Sequence, residues 1–155
     1  PKDFYKFYDS FFALWYQDLR KGNYMSVTLF DNIIPMFVGI PPQQCGYLGF
    51  CSNQFVIESD GSVYPCDFYV LDQYCIGNIR EHTMQELNTS SVVHNFLHEK
   101  RDLCKLCNEC RYVKMCHGQC KRLSICYYDE EYCGLREFLV KYERELVQIA
   151  MNIGK

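Results

Sequence analysis

The sequence predicts an α+β fold, a small cysteine-rich unit with a β-hairpin and metal-binding loops between flanking helices. Three observations carry this. The stretch Cys107-Asn108-Glu109-Cys110-Arg111-Tyr112-Val113-Lys114-Met115-Cys116-His117-Gly118-Gln119-Cys120 puts four thiols in fourteen residues, as C-x2-C-x5-C-x3-C. Asp60-Gly61, flanked by Phe55-Val56-Ile57 and Ser62-Val63-Tyr64, reads as a hairpin. Apolar residues recur at helical spacing towards both ends of the chain.

At 155 residues the chain is long enough for one ordinary domain or two very small ones. A hydrophobic content of 48% allows a packed core, and a net charge of −3 gives no reason to expect nucleic acid as a partner. Eleven cysteines make thiol chemistry the deciding feature. Secreted disulfide scaffolds are usually short, with an even cysteine count and an export signal. Here the count is odd, and no signal segment precedes the first helix. The apolar runs are too short to span a bilayer. The expectation is therefore metal binding in a reducing cytoplasm, with no membrane partner.

Residues 2–21 read as an amphipathic helix. Phe4, Phe7, Tyr8, Phe11, Trp15 and Leu19 share a face, with Asp3 near the start and Lys21-Gly22 at the end. Such a stripe is first of all core packing, and on so small a chain it also suggests docking against something larger. Residues 27–39 predict a second helix, with Pro35 in its first turn or kinking it and Gly39 as a stop. Pro41-Pro42 then force extended backbone that delivers the chain to Cys45. The hairpin spans 54–64 through a type I′ turn at Asp60-Gly61. At its exit Pro65 lacks an N–H, so pairing stops and the backbone can turn Cys66 towards a site. Gly77-Asn78 breaks the next segment. Thr83-Met84-Gln85-Glu86 fits a capping box, and residues 91–100 read as a further short helix. Residues 134–152 predict a long helix with Leu135, Phe138, Leu139, Tyr142, Leu146 and Ile149 on one face.

Crowded thiolates repel one another, and a soft metal centre is the usual reason to gather them. Four-cysteine zinc sites usually pair two C-x2-C knuckles across about a dozen or more residues. Here five residues separate Cys110 from Cys116, and the second pair is C-x3-C. Short, unequal spacings suit an iron–sulfur cube better, because its corners are separate irons. Cys104, Cys107 and Cys110 also form C-x2-C-x2-C, as at the start of a bacterial ferredoxin motif, but Cys116 is the next thiol and no proline follows. Cys133 sits at the mouth of the last helix, where a thiolate would feel the N-terminal field and lose its proton readily. Seven Lys or Arg between Lys100 and Arg122 read as solvated surface or as cations offsetting a negatively charged cluster. His117, among so many thiols, reads as a bystander.

The full set of spacings is distinctive. Nine residues separate Cys51 from Gly61 and four separate Gly61 from Cys66, ahead of the Cys107–Cys120 stretch and Cys133. This resembles the seven-cysteine pattern of SPASM domains, C-terminal extensions of radical SAM enzymes that hold auxiliary 4Fe-4S clusters. The chain is more similar still to anaerobic sulfatase-maturating enzymes. The carriers are Phe30-Asp31-Asn32, the stretch Asp60-Gly61-Ser62-Val63-Tyr64-Pro65-Cys66-Asp67-Phe68-Tyr69-Val70, and Gly77-Asn78-Ile79. The resemblance covers essentially the whole chain.

By that resemblance, Cys45, Cys51, Cys66 and Cys120 bind a first auxiliary 4Fe-4S cluster, and Cys107, Cys110, Cys116 and Cys133 a second. Cys126 is the alternative to Cys133, while Cys75 and Cys104 are left over as plain thiols. Asp67, beside a cluster ligand, is the base that takes the proton of the substrate side chain. The parent enzyme is expected to oxidise a Cys or Ser of a sulfatase precursor peptide to Cα-formylglycine. SAM cleavage in a barrel domain gives the radical that abstracts a Cβ hydrogen, and the auxiliary clusters hold the fold and accept or relay the electron. The C-x3-C-x2-C motif of that barrel and its third cluster are absent from this sequence. Residues 1–40 are accordingly expected to be the helical tail of the radical SAM barrel, its aromatic stripe missing a packing partner, and residues 41–155 the SPASM domain. Such a fragment binds no SAM, and one prepared in air takes zinc as well, since thiolate sites accept both metals. The alternatives are the SPASM domain of another peptide maturase and a non-catalytic zinc-binding module.

Overall fold

A computed structural model describes residues 1–99 and 102–153. The chain divides into two compact units, Pro1–Gly49 with Leu103–Lys155, and Phe50–Asp102. Helices dominate the first and a small antiparallel sheet the second, as the α+β reading requires.

In the first unit, α1 (Lys2–Arg20) and α2 (Thr28–Met36) pack on α8 (Gly134–Ala150). Between α2 and α8 the unit carries a 3-10 turn at Cys45–Tyr47 and three one-turn helices, α5 (Lys105–Asn108), α6 (Val113–Cys116) and α7 (Ser124–Tyr127). The aromatic stripe of α1 finds its partners within this unit, although the most buried ring of the helix is Phe12, which the expected face left out. Phe12 is fully buried, with its ring edge-on to Phe30 of α2 at 5.3 Å and to Phe138 of α8 at 5.5 Å. Edge-to-face pairs of this kind add about 1 kcal/mol each to the burial itself. Trp15 is buried too, and its indole N–H donates to the Met25 carbonyl at 2.7 Å. The expectation that the stripe had lost its packing partner is thus corrected: α8, more than a hundred residues away, covers it. Phe7 and Leu14 face outward, at 60% and 64% exposure.

Pro35 lies in the last turn of α2, not the first. Its missing N–H removes one bond near the end of the helix, which stops one residue later. Gly39, at φ +79°, closes the exit as expected.

In the second unit, β1 (Val56–Ile57) and β2 (Ser62–Tyr64) form the hairpin, pairing Val56 with Tyr64 and Ile57 with Val63. The turn differs from the type I′ expectation. Gly61 N–H donates to the Glu58 carbonyl at 2.9 Å, Glu58 N–H donates to the Ser62 carbonyl, and Gly61 alone has positive φ, at +88°. Type I′ needs positive φ at both central residues. Asp60 avoids it, so the loop is a three-residue type I turn closed by a left-handed glycine. Asp60 then accepts from Ser62 N–H at 2.9 Å, which holds its carboxyl below the usual range.

A third strand, β3 (Gly77–Asn78), pairs with β2, giving the order β1-β2-β3. The sequence marks Gly77-Asn78 only as a break. A Cβ on Gly77 would lie 2.7 Å from Leu87 Cδ2, so a missing side chain lets the strand seat on that core. Val63, Ile76, Leu87 and Val93 form it. The capping box is present on α3 (Met84–Asn88), with Thr83 N–H donating to Glu86 Oε2 at 2.7 Å. Helix α4 (Ser91–His98) follows, capped by Ser90. The last expected residue of that helix, Lys100, and Arg101 of the basic run lie outside the described residues.

Candidate metal centre

All eleven cysteines are thiols rather than disulfides. In the first unit, Cys107 of α5, Cys110, Cys116 at the end of α6 and Cys133 line one tight recess of about 20 Å³. Apolar groups such as Val113, Leu135 and Leu139 make much of its wall. The local chain explains how four thiols reach one place. Cys107 and Cys116 ride on single helical turns joined by the tight segment at Cys110. His117, Gly118 and Gln119 are all left-handed, at φ +47°, +72° and +66°. A left-handed non-glycine residue costs about 1–2 kcal/mol, so this run is strained backbone between two cysteines, a common mark of a functional loop. Tyr128 bridges to Cys133, and Cys133 caps α8, its Sγ accepting from Arg136 N–H at 3.4 Å. Cys126 is exposed and does not line the recess.

Cys45 and Cys120 belong to the same unit and lie close together. A Cβ on Gly46 would sit 3.2 Å from Cys120 N and 3.4 Å from Cys120 Cβ. The segment entering Cys45 is held by Asn32, which is 5% exposed. Its amide oxygen accepts from Gln43 N–H at 2.9 Å and Gln44 N–H at 2.8 Å, and its Nδ2 donates to the Thr28 carbonyl at 2.8 Å. The neighbouring residues have their own tasks. Phe30 fills the core, and Asp31 accepts from the hydroxyls of Tyr24 and Ser26. Phe30-Asp31-Asn32 entered the sequence reading only as a mark of resemblance. Its structural job was missed, because nothing local says that an asparagine on a helix will reach backbone eleven residues ahead.

In the second unit, Cys51 packs against the small cluster of Cys66, Tyr69 and Phe96. Asp67 follows Cys66 on an exposed 3-10 turn. Its carboxylate accepts from Phe68 N–H at 3.0 Å and from the Cys66 thiol at 3.3 Å, so it is oriented beside that sulfur. Cys75 contacts the Gly77 carbonyl through its thiol, at 3.6 Å.

The donor set of the recess fits a metal centre by its chemistry. Burial, a hydrogen bond with Cys104 and the like charges of Cys104, Cys116 and Cys133 push the Cys107 thiol up to about 12. Burial, with Cys116 and Cys110 adding to it, pushes Cys133 up to about 11, although Arg136 N–H acts the other way. The expectation that Cys133 deprotonates readily is therefore corrected for the metal-free chain: desolvation outweighs the helix N-terminus. Thiols crowded this way lack a cation among them, which is what a bound centre supplies. Among the described residues no three His, Cys, Asp or Glu side chains are placed to share one ion. Thiols spread around one recess fit a centre with separate metal corners.

The raised thiols make a prediction for the metal-free chain. Folding keeps Cys107 and Cys133 protonated above the pH at which an unfolded thiol ionises, so they destabilise the fold as pH rises from about 9 through about 11 and 12. At pH 8, iodoacetamide should label exposed Cys126 first and Cys107 and Cys133 last, read by peptide mapping. Early labelling of Cys107 would contradict this.

One leftover thiol joins the site. Cys104 caps α5, and its thiol donates to Cys107 Sγ at 3.5 Å. The C-x2-C spacing of the two was visible in the sequence; the direction of the contact was not.

Comparison with known proteins places this arrangement. Residues 45–111 match the SPASM family, described as an iron–sulfur cluster-binding domain. The chain thus carries a SPASM domain over residues 45–111, and the class of that domain is iron–sulfur cluster-binding. Within that class it is homologous to the anaerobic sulfatase-maturating enzymes. It is 38% identical to the cysteine-type anaerobic sulfatase-maturating enzyme of Clostridium perfringens (strain 13 / Type A), over 99% of this chain and 43% of that protein. It is 44% identical to the cysteine-type enzyme of Clostridium novyi (strain NT), over 79% of this chain and 33% of that protein. The serine-type enzyme of Bacteroides thetaiotaomicron is 33% identical over 62% of this chain and 23% of that protein. A solved structure of anSMEcpe with bound AdoMet superposes with a TM-score of 0.85 at 36% identity, over 99% of this chain and 42% of that one. Another holds AdoMet and the Cp18Cys peptide, with the same TM-score of 0.85. The chain spans less than half the length of the relatives it matches. No helix among the described residues is long and apolar enough to cross a membrane.

Proposed function

We propose that the chain is the auxiliary-cluster part of a radical SAM enzyme that oxidises the active-site cysteine of a sulfatase precursor to Cα-formylglycine. The observation that carries this is the meeting of Cys107, Cys110, Cys116 and Cys133 at one recess, in a chain similar over 99% of its length to a cysteine-type maturating enzyme. Those four residues would hold one 4Fe-4S cluster, and Cys45, Cys51, Cys66 and Cys120 another. Bound clusters supply one-electron redox chemistry. The chain's own contribution is to hold them, through the strained 117–119 turn, the Asn32 clamp before Cys45 and the cap of α8 at Cys133.

Asp67 takes the proton from the substrate side chain. Its carboxylate is exposed and fixed by Phe68 N–H, so it can face a peptide. Residues 1–40 are assigned to the barrel side of the parent and residues 41–155 to the cluster domain, although α1 and α2 share a core with α8. A cysteine-type precursor is the substrate to try first, because the cysteine-type relatives match at 38% and 44% identity and the serine-type one at 33% over a shorter stretch.

The test is iron, acid-labile sulfide and zinc per chain after anaerobic reconstitution, with EPR of the reduced sample. About eight iron and eight sulfide are expected for two cubes; zinc without sulfide overturns the reading. In the whole protein, Asp67→Asn should slow formylglycine formation by about a hundredfold or more while iron content stays unchanged. Full activity in that variant would remove Asp67 from the mechanism.

A further inference from the structure

We propose that His94 and His98 form a second, separate metal site, one that takes a divalent cation with a taste for imidazole, such as zinc. Both lie on α4, four residues apart and therefore on one face. The buried residues Val93 and Phe96 seat the opposite side of that helix, which leaves both imidazoles exposed. Their rings are stacked with centroids 4.3 Å apart and planes 23° from parallel, so the two side chains already share one place, and a side-chain rotation on the open face turns both ring nitrogens onto one ion.

The protonation pattern suits a ligand. Nδ1 of His98 lies 2.8 Å from the His94 carbonyl oxygen. A carbonyl only accepts, so Nδ1 carries the proton and the lone pair is left on Nε2. Metal-binding histidines are set up in the same way, the far ring nitrogen donating to a backbone carbonyl or a carboxylate. Two histidines at i and i+4 on a helix are a known chelating geometry for zinc. Among the described residues no third His, Cys, Asp or Glu completes a group with them, so water fills the remaining positions. There is room for it. The two imidazoles line an open groove of about 480 Å³, bordered by Gln73, Tyr74 and Glu99. A bound ion would pin the last turn of α4.

The chain's thiols also bind zinc, so the experiment reads histidines individually. There are only four, His82, His94, His98 and His117. The full chain, with its thiol sites loaded first, is titrated with zinc chloride while the imidazole nitrogens are followed by ¹⁵N–¹H NMR. The expected result is that His94 and His98 shift together and saturate at one equivalent, while His82 stays still. In His98→Gln the response of His94 should weaken by about a hundredfold, since the second ligand no longer acts intramolecularly. His94→Gln should do the same to His98. Both residues are exposed and glutamine is a good helix former, so the variants keep the fold, which unchanged His82 signals report. Movement of His117 alone, or an undiminished His94 response in His98→Gln, overturns the proposal.

Discussion

Cys133→Ala should cost the reconstituted chain about four iron and four sulfide, one cube's worth, whereas Cys126→Ala should cost none. The two positions are only seven apart and both follow Cys120, so sequence alone leaves them as alternatives. In the fold they differ in kind. Cys133 caps α8 and lines the recess with Cys107, Cys110 and Cys116, while Cys126 is exposed on α7. Removing a ligand from a shared cluster is close to all-or-none, because three thiolates leave one iron open to solvent and loss. The measurement is iron and sulfide per chain with spin quantitation of the reduced sample. Equal losses in the two variants, or the larger loss in Cys126→Ala, would overturn the ligand assignment. Cys104→Ala is the useful control beside them, because Cys104 lies against the Cys107 sulfur without lining the recess and should leave the iron count unchanged.

Asn32→Ala should lower the thermal midpoint of the loaded chain by roughly 5–15 °C, from a loss of about 2–4 kcal/mol. The side chain makes three hydrogen bonds at a nearly buried position. Alanine leaves the N–H groups of Gln43 and Gln44 without that acceptor, and water reaches the place poorly. Asn32→Asp keeps the acceptor but loses the donor to Thr28 and buries a charge, so it should also destabilise. The second readout is local: alkylation of Cys45 in the metal-free chain should quicken in Asn32→Ala, while that of Cys126 should not. An unchanged midpoint would mean that the clamp is not what holds this segment.

Much of the fold was legible because it is written in local signals. The period of α1 and α8, the Thr83 capping box and the hairpin around Gly61 depend on residues within one or two turns of each other. The cysteine spacing is likewise local, and it was enough to point to iron–sulfur chemistry, the chemistry of the domain family that residues 45–111 match. The hairpin turn was misjudged in type for a local reason as well. Asp60-Gly61 is compatible with two turns, and Asp60 took the one that spares it positive φ.

What the sequence by itself determined, then, is the chemistry on offer: eleven thiols, seven of them at SPASM spacing, helices at either end, a short hairpin between. Tertiary structure decided which groups meet. It put α8 over the aromatic stripe of α1, paired Gly77-Asn78 with β2, sent Asn32 to the backbone before Cys45 and separated Cys133 from Cys126. It also reversed the acidity expected of Cys133. The physical reason is the same throughout. Burial and contact depend on residues far apart in the chain, and the free energy of desolvating a thiol, a ring or an amide is set by those neighbours and not by the segment that carries the group.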